Sequence, residues 1–313
     1  MRYVFLGSPP FAMPVFEALL ESGHVALGLV TRPDKPRGRG REVVVSPLVE
    51  LARERGLAVL QPTTTKSPEF VESLRVLEPD VLLVASYGEI LREEVLQLAP
   101  HGALNVHGSL LPRWRGAAPI QYAVAAGDAE TGVSVQRMVL ALDEGDVLLE
   151  KRLPIGPDDT SGALFDRLAV LGGAAAVEAL DELERGNAHY TPQDPEHVTY
   201  AKKLAKTDGH IDWSRPAVEL ERHVRAMYPW PGAKAAAPDG KALVVEAAHV
   251  TEGSGTPGDL LEAGARCVIA TGDGALELVT VKPAGKRAME AGAWLRGARF
   301  EAGSRFGGGE EAR

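Results

Sequence analysis

The sequence predicts an α/β protein, with a parallel-rich, Rossmann-like sheet in its N-terminal part and a smaller β-barrel in its C-terminal part. Three observations predict it. An apolar run at 3–6, an amphipathic stretch at 11–22 and a second apolar run at 25–31 follow one another at the spacing of a right-handed βαβ unit. The run 80–86, DVLLVAS, is continuously apolar at its centre, as a parallel strand covered on both faces must be. Beyond residue 240 the pattern changes to short apolar runs separated by glycine turns, which suggests a small barrel.

The elements follow in order. Gly7-Ser-Pro-Pro turns the chain out of the first strand, but it is not G-x-G-x-x-G, so the dinucleotide fingerprint is missing. Ser46-Pro47 and Ser67-Pro68 each place a capping residue before a proline at the first helical position. The first of these helices ends near Gly56, a short strand at 58–60 follows, and Phe70, Leu74 and Leu77 mark the buried stripe of the second. Tyr87-Gly88 closes the strand at 80–86. Residues 118–126 read as helix, and 131–140 and 147–155 as strands. Thr160 and Ser161 can cap a long helix running toward Glu184. Periodicity then fades. The expected division is a first domain at 1–186, a linker at 187–207, a second domain at 208–302 and a fraying glycine- and glutamate-rich tail at 303–313. In the second domain a helix starts near Ile211, and strands are expected at 242–245, 257–261, 267–270 and 276–281.

Composition narrows the function. The 313 residues are 45% hydrophobic and 25% charged, which suits a globular protein with a sizeable core. A net charge of −9 argues against nonspecific coating of nucleic acid, though not against a local basic patch. One cysteine, Cys267, excludes a disulfide framework. No signal-peptide pattern and no membrane-length apolar run is present, so a cytoplasmic protein without a membrane partner is expected. The eight histidines form no H-x-x-x-H group and there is no C-x-x-C, so no metal is expected. The absence of an apolar heptad favours a monomer.

The chemistry concentrates at 102–119, GALNVHGSLLPRWRGAAP. A short strand ends in Asn105 and His107, two apart and therefore on one face of an extended backbone. Glycines and prolines then force a loop. Strand ends are where open α/β sheets bind ligands, and a carboxamide with an imidazole can donate hydrogen bonds to a developing oxyanion. Ser109 lacks a second nearby histidine in sequence to make it a nucleophile. Two downstream aspartates, Asp143 and Asp146, can complete the set. A second distinctive stretch is 32–42, RPDKPRGRGRE, with five positive residues against two negative and no regular pattern. It is either a solvated loop or an arm that contacts phosphates.

The run 105–121, NVHGSLLPRWRGAAPIQ, resembles the signature of the 10-formyltetrahydrofolate-dependent formyltransferases. The first turn is similar to the family's G-T-P-x-F-A, with Ser8 in place of threonine, and PAGKRAM at 283–289 resembles a late motif of its C-terminal domain. The resemblance implies the formyltransferase fold with a C-terminal OB-like domain, 10-formyltetrahydrofolate as formyl donor, and Asn105, His107 and Asp143 as catalytic residues, Asp143 because it lies in L-D-x-G. It implies that Tyr87, Gly88, Ser109, Leu110, Leu111, Pro112 and Met138 bind the folate. The basic loop and the C-terminal motif are similar to the branch acting on initiator methionyl-tRNA. They imply tRNA contacts by Arg37, Arg39, Arg41, Lys286 and Arg287. Other acceptors within the family, a nucleotide sugar or glycinamide ribonucleotide, share the central motif, and a non-catalytic folate or RNA module is the remaining alternative.

Overall fold

The computed structural model describes residues 1–34, 36–37 and 42–311, with 36–37, 42–43 and 311 as backbone. Arg39 and Arg41, and the side chain of Arg37, lie outside the described residues. The chain divides into two compact units, one of residues 1–119, 130–154 and 165–201, the other of 120–129, 155–164 and 202–313.

The first unit is built on a seven-stranded sheet: β1 (Arg2–Gly7), β2 (Val25–Val30), β3 (Ala58–Leu60), β4 (Val81–Ala85), β5 (Ala103–His107), β6 (Glu130–Arg137) and β7 (Val147–Pro154). Their spatial order is β7-β6-β5-β4-β1-β2-β3. Strands β5 through β3 along that order are parallel, and β6 and β7 are antiparallel additions. From β1 the chain winds first to one side, through β2 and β3, and then to the other, through β4 and β5. The carboxyl ends of β1 and β4 therefore flank a topological switch point, the place where such sheets hold ligands.

Local rules explain the helices. Helix α1 (Ala12–Leu20) buries Ala12, Val15, Phe16 and Leu19, the i, i+3, i+4, i+7 stripe, and Phe16 stacks on Phe5 of β1 at 4.9 Å. Helices α2 (Pro47–Glu54) and α3 (Pro68–Arg75) begin with proline at the first position, as the Ser-Pro pairs predict. The hydroxyl of Ser67 accepts from the Phe70 N–H at 3.2 Å, whereas Ser46 forms no such cap and its N–H instead donates to Asp34. Helix α4 (Pro119–Ala126) and the 24-residue α5 (Ser161–Glu184) also match expectation. Among the described residues no helix is long and apolar enough to cross a membrane.

The stretch expected to be a linker is not free of the first unit. Tyr200–Ala201 pairs in parallel with Arg115–Gly116, and the Thr191 N–H and C=O exchange hydrogen bonds with Val147.

The second unit contains α6 (Ala217–Met227), β8 (Ala233–Ala236), β9 (Ala242–Thr251), β10 (Leu260–Ala263), β11 (Cys267–Ala270), β12 (Ala275–Pro283), β13 (Met289–Glu290), α7 (Ala291–Ala298) and β14 (Gly307–Gly308). The antiparallel order is β10-β11-β12-β9-β8-β14, with β13 beside β12. Strand β9 runs six residues beyond the expected 242–245. Register shifts on both sides of Ala247 break the simple alternation that sequence reading relies on. Helix α7 also escapes that reading, because its two glycines weaken a helical signal. Gly292 is nonetheless required, since a Cβ there would lie 2.2 Å from the Ala265 carbonyl oxygen.

The tail corrects an expectation. Residues 303–313 were expected to fray, yet Gly307–Gly308 pairs with β8. Phe306 is buried edge-on against Trp213 and Trp294, at 6.3 and 6.1 Å. The indole N–H of Trp213 donates to the Gly307 carbonyl at 3.0 Å. One aromatic anchor outweighs a run of glycine and glutamate. Phe306→Ala is expected to destabilise the second unit by about 3–5 kcal/mol, read as a lower midpoint in urea; an unchanged midpoint would show the tail to be detached.

Candidate active site

Strand β5 delivers the site. Asn105 and His107 point to one face, and the antiparallel register sets Gln136 opposite Asn105 and Ser134 opposite His107. Four polar side chains thus share one patch of a sheet that is otherwise aliphatic. His107 is 6% exposed, whereas Asn105 is only half-buried. Among the described residues the Asn105 carboxamide has no hydrogen-bond partner, so its N–H groups are available to a ligand.

Asp143 reaches the same patch from the turn after β6. Its Oδ1 accepts from Gln136 Nε2 and its Oδ2 from the Gly116 N–H, both at 2.9 Å. Its backbone is left-handed, with φ of 52°, a conformation that aspartate tolerates better than most residues. His107 Nδ1 lies 3.8 Å from Asp143 Oδ2, an ion-pair distance too long for a hydrogen bond. The structure therefore places Asp143 beside His107, with Asn105 two residues away on the same strand face.

It also adds a constraint the motif did not carry. His107 Nε2 lies 3.0 Å from the Trp114 carbonyl oxygen. A carbonyl only accepts, so Nε2 carries the proton and Nδ1 is the nitrogen turned toward Asp143. Asp146, the competing carboxylate, is exposed and has no such contact with His107.

The loop between β5 and α4 is braced from within. The Ser109 hydroxyl donates to the Arg113 carbonyl, and Ser134 Oγ donates to the Ser109 carbonyl while accepting from the Leu111 N–H. Ser109 is 1% exposed, and its hydroxyl is committed to the loop's own backbone. Leu111 is buried, and Leu110 and Pro112 are half-buried. Gly116, with φ of 115°, allows the loop to meet the Ala201 backbone, where a Cβ would lie 2.6 Å from the carbonyl oxygen.

The residues expected to hold a folate fall into two groups. The Tyr87 ring is 2% exposed, inside an apolar cluster that includes Leu91 and Leu96 and against which Met138 packs. Burial pushes its hydroxyl up to about 12. Its carbonyl accepts from Ser8 Oγ at 3.3 Å, which ties the two corners at the switch point. Gly88 has φ of 74°, and its carbonyl accepts from the Arg32 guanidinium. Ile90, which follows the first corner, and Val139, Leu140 and Leu142, which follow Met138, are all exposed. A cavity of about 510 Å³ is lined by Met138, Val139 and Leu140 with Leu96, Pro100, His101 and Arg137, and none of Asn105, His107 or Asp143 lines it.

Lys286 and Arg287 are exposed on the turn between β12 and β13, near the exposed Lys282, and none of the three forms a salt bridge among the described residues. His24, Asp181 and Glu184 stand within ligating distance of one another. That cluster is already engaged by ion pairs, His24 with Asp181 and the Met1 ammonium with Glu184.

Polar groups gathered at the carboxyl end of β5, the strand next to β4 and its switch point, define an α/β enzyme that works at its strand ends. Comparison with known proteins supplies the family. The formyl transferase profile matches residues 1–180, and the profile of the formyl transferase C-terminal domain matches residues 203–299. The chain belongs to the formyl transferase family. It is 47% identical over 304 residues to methionyl-tRNA formyltransferase of Myxococcus xanthus, covering 97% of each chain. It is 45% identical over 310 residues to the protein of the same name from Symbiobacterium thermophilum, covering 98% of this chain and 95% of that one. Its fold is similar to that of HypX from Aquifex aeolicus, solved with tetrahydrofolic acid, at a TM-score of 0.60 and 20% identity over 94% of this chain and 47% of that one.

Gly145 makes the Asp143 turn possible. A Cβ at Gly145 would lie 1.6 Å from the Arg137 carbonyl oxygen, so the backbone itself would have to move. Gly145→Ala is expected to cost about 1–3 kcal/mol of stability in urea titration and to lower activity by displacing Asp143. A variant with wild-type turnover and stability would show that the turn can relax without consequence.

Proposed function

We propose that the chain transfers the formyl group of 10-formyltetrahydrofolate to the free amino group of methionyl-initiator-tRNA, giving N-formylmethionyl-tRNA for translation initiation. The observation that carries this reading is the Asn105, His107 and Asp143 set on one sheet face, in a chain aligned end to end with proteins named for that activity.

The uncharged α-amine attacks the formyl carbon, the new carbon–nitrogen bond forms, and the carbonyl oxygen becomes an oxyanion. Collapse breaks the bond to N10, and the proton lost by the amine ends on N10. The free Asn105 carboxamide donates to the oxyanion. His107 Nε2 joins it by exchanging the Trp114 carbonyl for the substrate oxygen. Such a donor is worth on the order of 3 kcal/mol in the transition state. Asp143 faces the other imidazole nitrogen and steadies the ring as the proton crosses. No covalent intermediate on the protein is required, and no metal takes part.

The pterin ring is assigned to the corner of Tyr87 and Gly88, with Met138 and the loop residues Ser109, Leu110, Leu111 and Pro112. On the tRNA side, Arg37, Arg39 and Arg41 serve the acceptor end and Lys286 with Arg287 the phosphates. The protein works as a monomer in the cytoplasm.

Transfer of labelled formyl from 10-formyltetrahydrofolate, offered to methionyl-tRNA, free methionine or small amines, tests the assignment. Only methionyl-tRNA should be formylated efficiently, and preference for a small amine would reassign the acceptor. Asn105→Ala and Asp143→Asn should each lower kcat by about 100-fold or more while melting within a few degrees of wild type. Normal turnover in either variant removes that residue from the mechanism. Arg39→Ala should lower kcat/KM for tRNA severely and leave folate affinity unchanged; equal kinetics would detach the loop from recognition.

A further inference from the structure

The Asp143 turn is held from a segment that carries no chemistry of its own. Gln193 lies in the stretch expected to be a linker, 50 residues after Asp143 in sequence. Its Nε2 donates to the Asp143 carbonyl at 2.8 Å and to the Gly145 carbonyl at 2.7 Å. Those two bonds use both of its amide hydrogens. A longer contact of 3.3 Å reaches Gln136 Oε1, on the same side chain whose Nε2 donates to the Asp143 carboxylate.

The orientation of the Gln193 amide is fixed by its other end. Arg115 Nε donates to Gln193 Oε1 at 3.0 Å. A guanidinium has no acceptor, so the oxygen must face Arg115 and the NH2 group must face the turn. Arg115 is itself 6% exposed, and its second nitrogen pairs with Glu144 of the turn at 3.1 Å. Arg115 and Gln193 thus hold residues 143, 144 and 145 from one side, while Gly116 and Gln136 hold the Asp143 carboxylate from the other.

We propose that Gln193 is the positioning residue of the Asp143 turn, setting where the Asp143 carboxylate stands relative to His107. The inference rests on the reading of Asp143 as a catalytic residue. Gln193 touches no reacting atom. Its contribution is to hold a left-handed aspartate and the carbonyls that follow it in one arrangement. Once that hold is lost, the turn samples positions in which Asp143 no longer faces His107 Nδ1. Misplacement on the scale of an ångström is enough to slow a positioned reaction greatly.

Steady-state kinetics on the full chain, with methionyl-tRNA and 10-formyltetrahydrofolate varied in turn, test this. Gln193→Ala and the length-matched Gln193→Met should each lower kcat about tenfold and leave both KM values within about twofold. In an Asp143→Asn background, the same changes should cause no further fall in kcat, because the carboxylate they position is gone. Wild-type kcat in both Gln193 variants, even with a lowered melting temperature, would overturn the inference and leave the role of Asp143 standing. Full additivity with Asp143→Asn would also overturn it, by showing that Gln193 acts elsewhere. Wild-type kcat in Asp143→Asn alone would remove the carboxylate from the mechanism and this inference with it.

Discussion

Two N–H groups hold the Asp143 carboxylate, one from the Gln136 side chain and one from the Gly116 backbone, and the rest of the site depends on that grip. The two donors come from different parts of the chain. Gln136 belongs to the antiparallel strand β6 paired with β5, and Gly116 belongs to the loop that leaves β5. Hydrogen bonds to a charged group contribute about 1.5–3 kcal/mol each. A left-handed non-glycine backbone costs about 1–3 kcal/mol. Two such bonds offset that strain with some surplus, which is why an aspartate at φ of 52° can be a fixed feature of the turn.

The frame and the site were legible in the sequence to different depths. Continuous apolar runs located β1 and β4 because parallel strands are buried on both faces and need no partner to be recognised. Ser-Pro pairs placed the starts of α2 and α3 to the residue, since a capping position followed by proline is a purely local signal, whereas α3 stops at Arg75, short of the expected Leu77. The period of two in a strand put Asn105 and His107 on one face. Asp143 came only from resemblance, because a turn aspartate looks like any other turn aspartate.

What stayed hidden was long-range. Gln193 sits in T-P-Q-D-P, a stretch without periodicity, and its bonds to Arg115, Asp143 and Gly145 span 48 to 78 residues. No pattern within a window records such contacts. The tail was misread for a related reason: its composition is that of a loose end, and one buried ring, Phe306, ties it down. Ser109 shows the converse. It lies within the signature, yet the bond its hydroxyl makes to the loop's own carbonyl is not written in the motif.

The bond from His107 to the Trp114 carbonyl bears on how the site accelerates formyl transfer. In the free protein Nε2 is already satisfied, by a neutral acceptor. A bond of that kind contributes about 0.5–1.5 kcal/mol net, against about 1.5–3 kcal/mol when the acceptor is charged. A substrate carbonyl in the ground state offers Nε2 little more than Trp114 does. The oxyanion offers considerably more. The exchange therefore favours the transition state over bound substrate, which is the condition under which a contact speeds the chemical step instead of tightening binding alone. Asn105 discriminates in the same sense, because its carboxamide also bonds the charged oxygen more strongly than the neutral carbonyl, and what sets the imidazole apart is that it begins the reaction occupied.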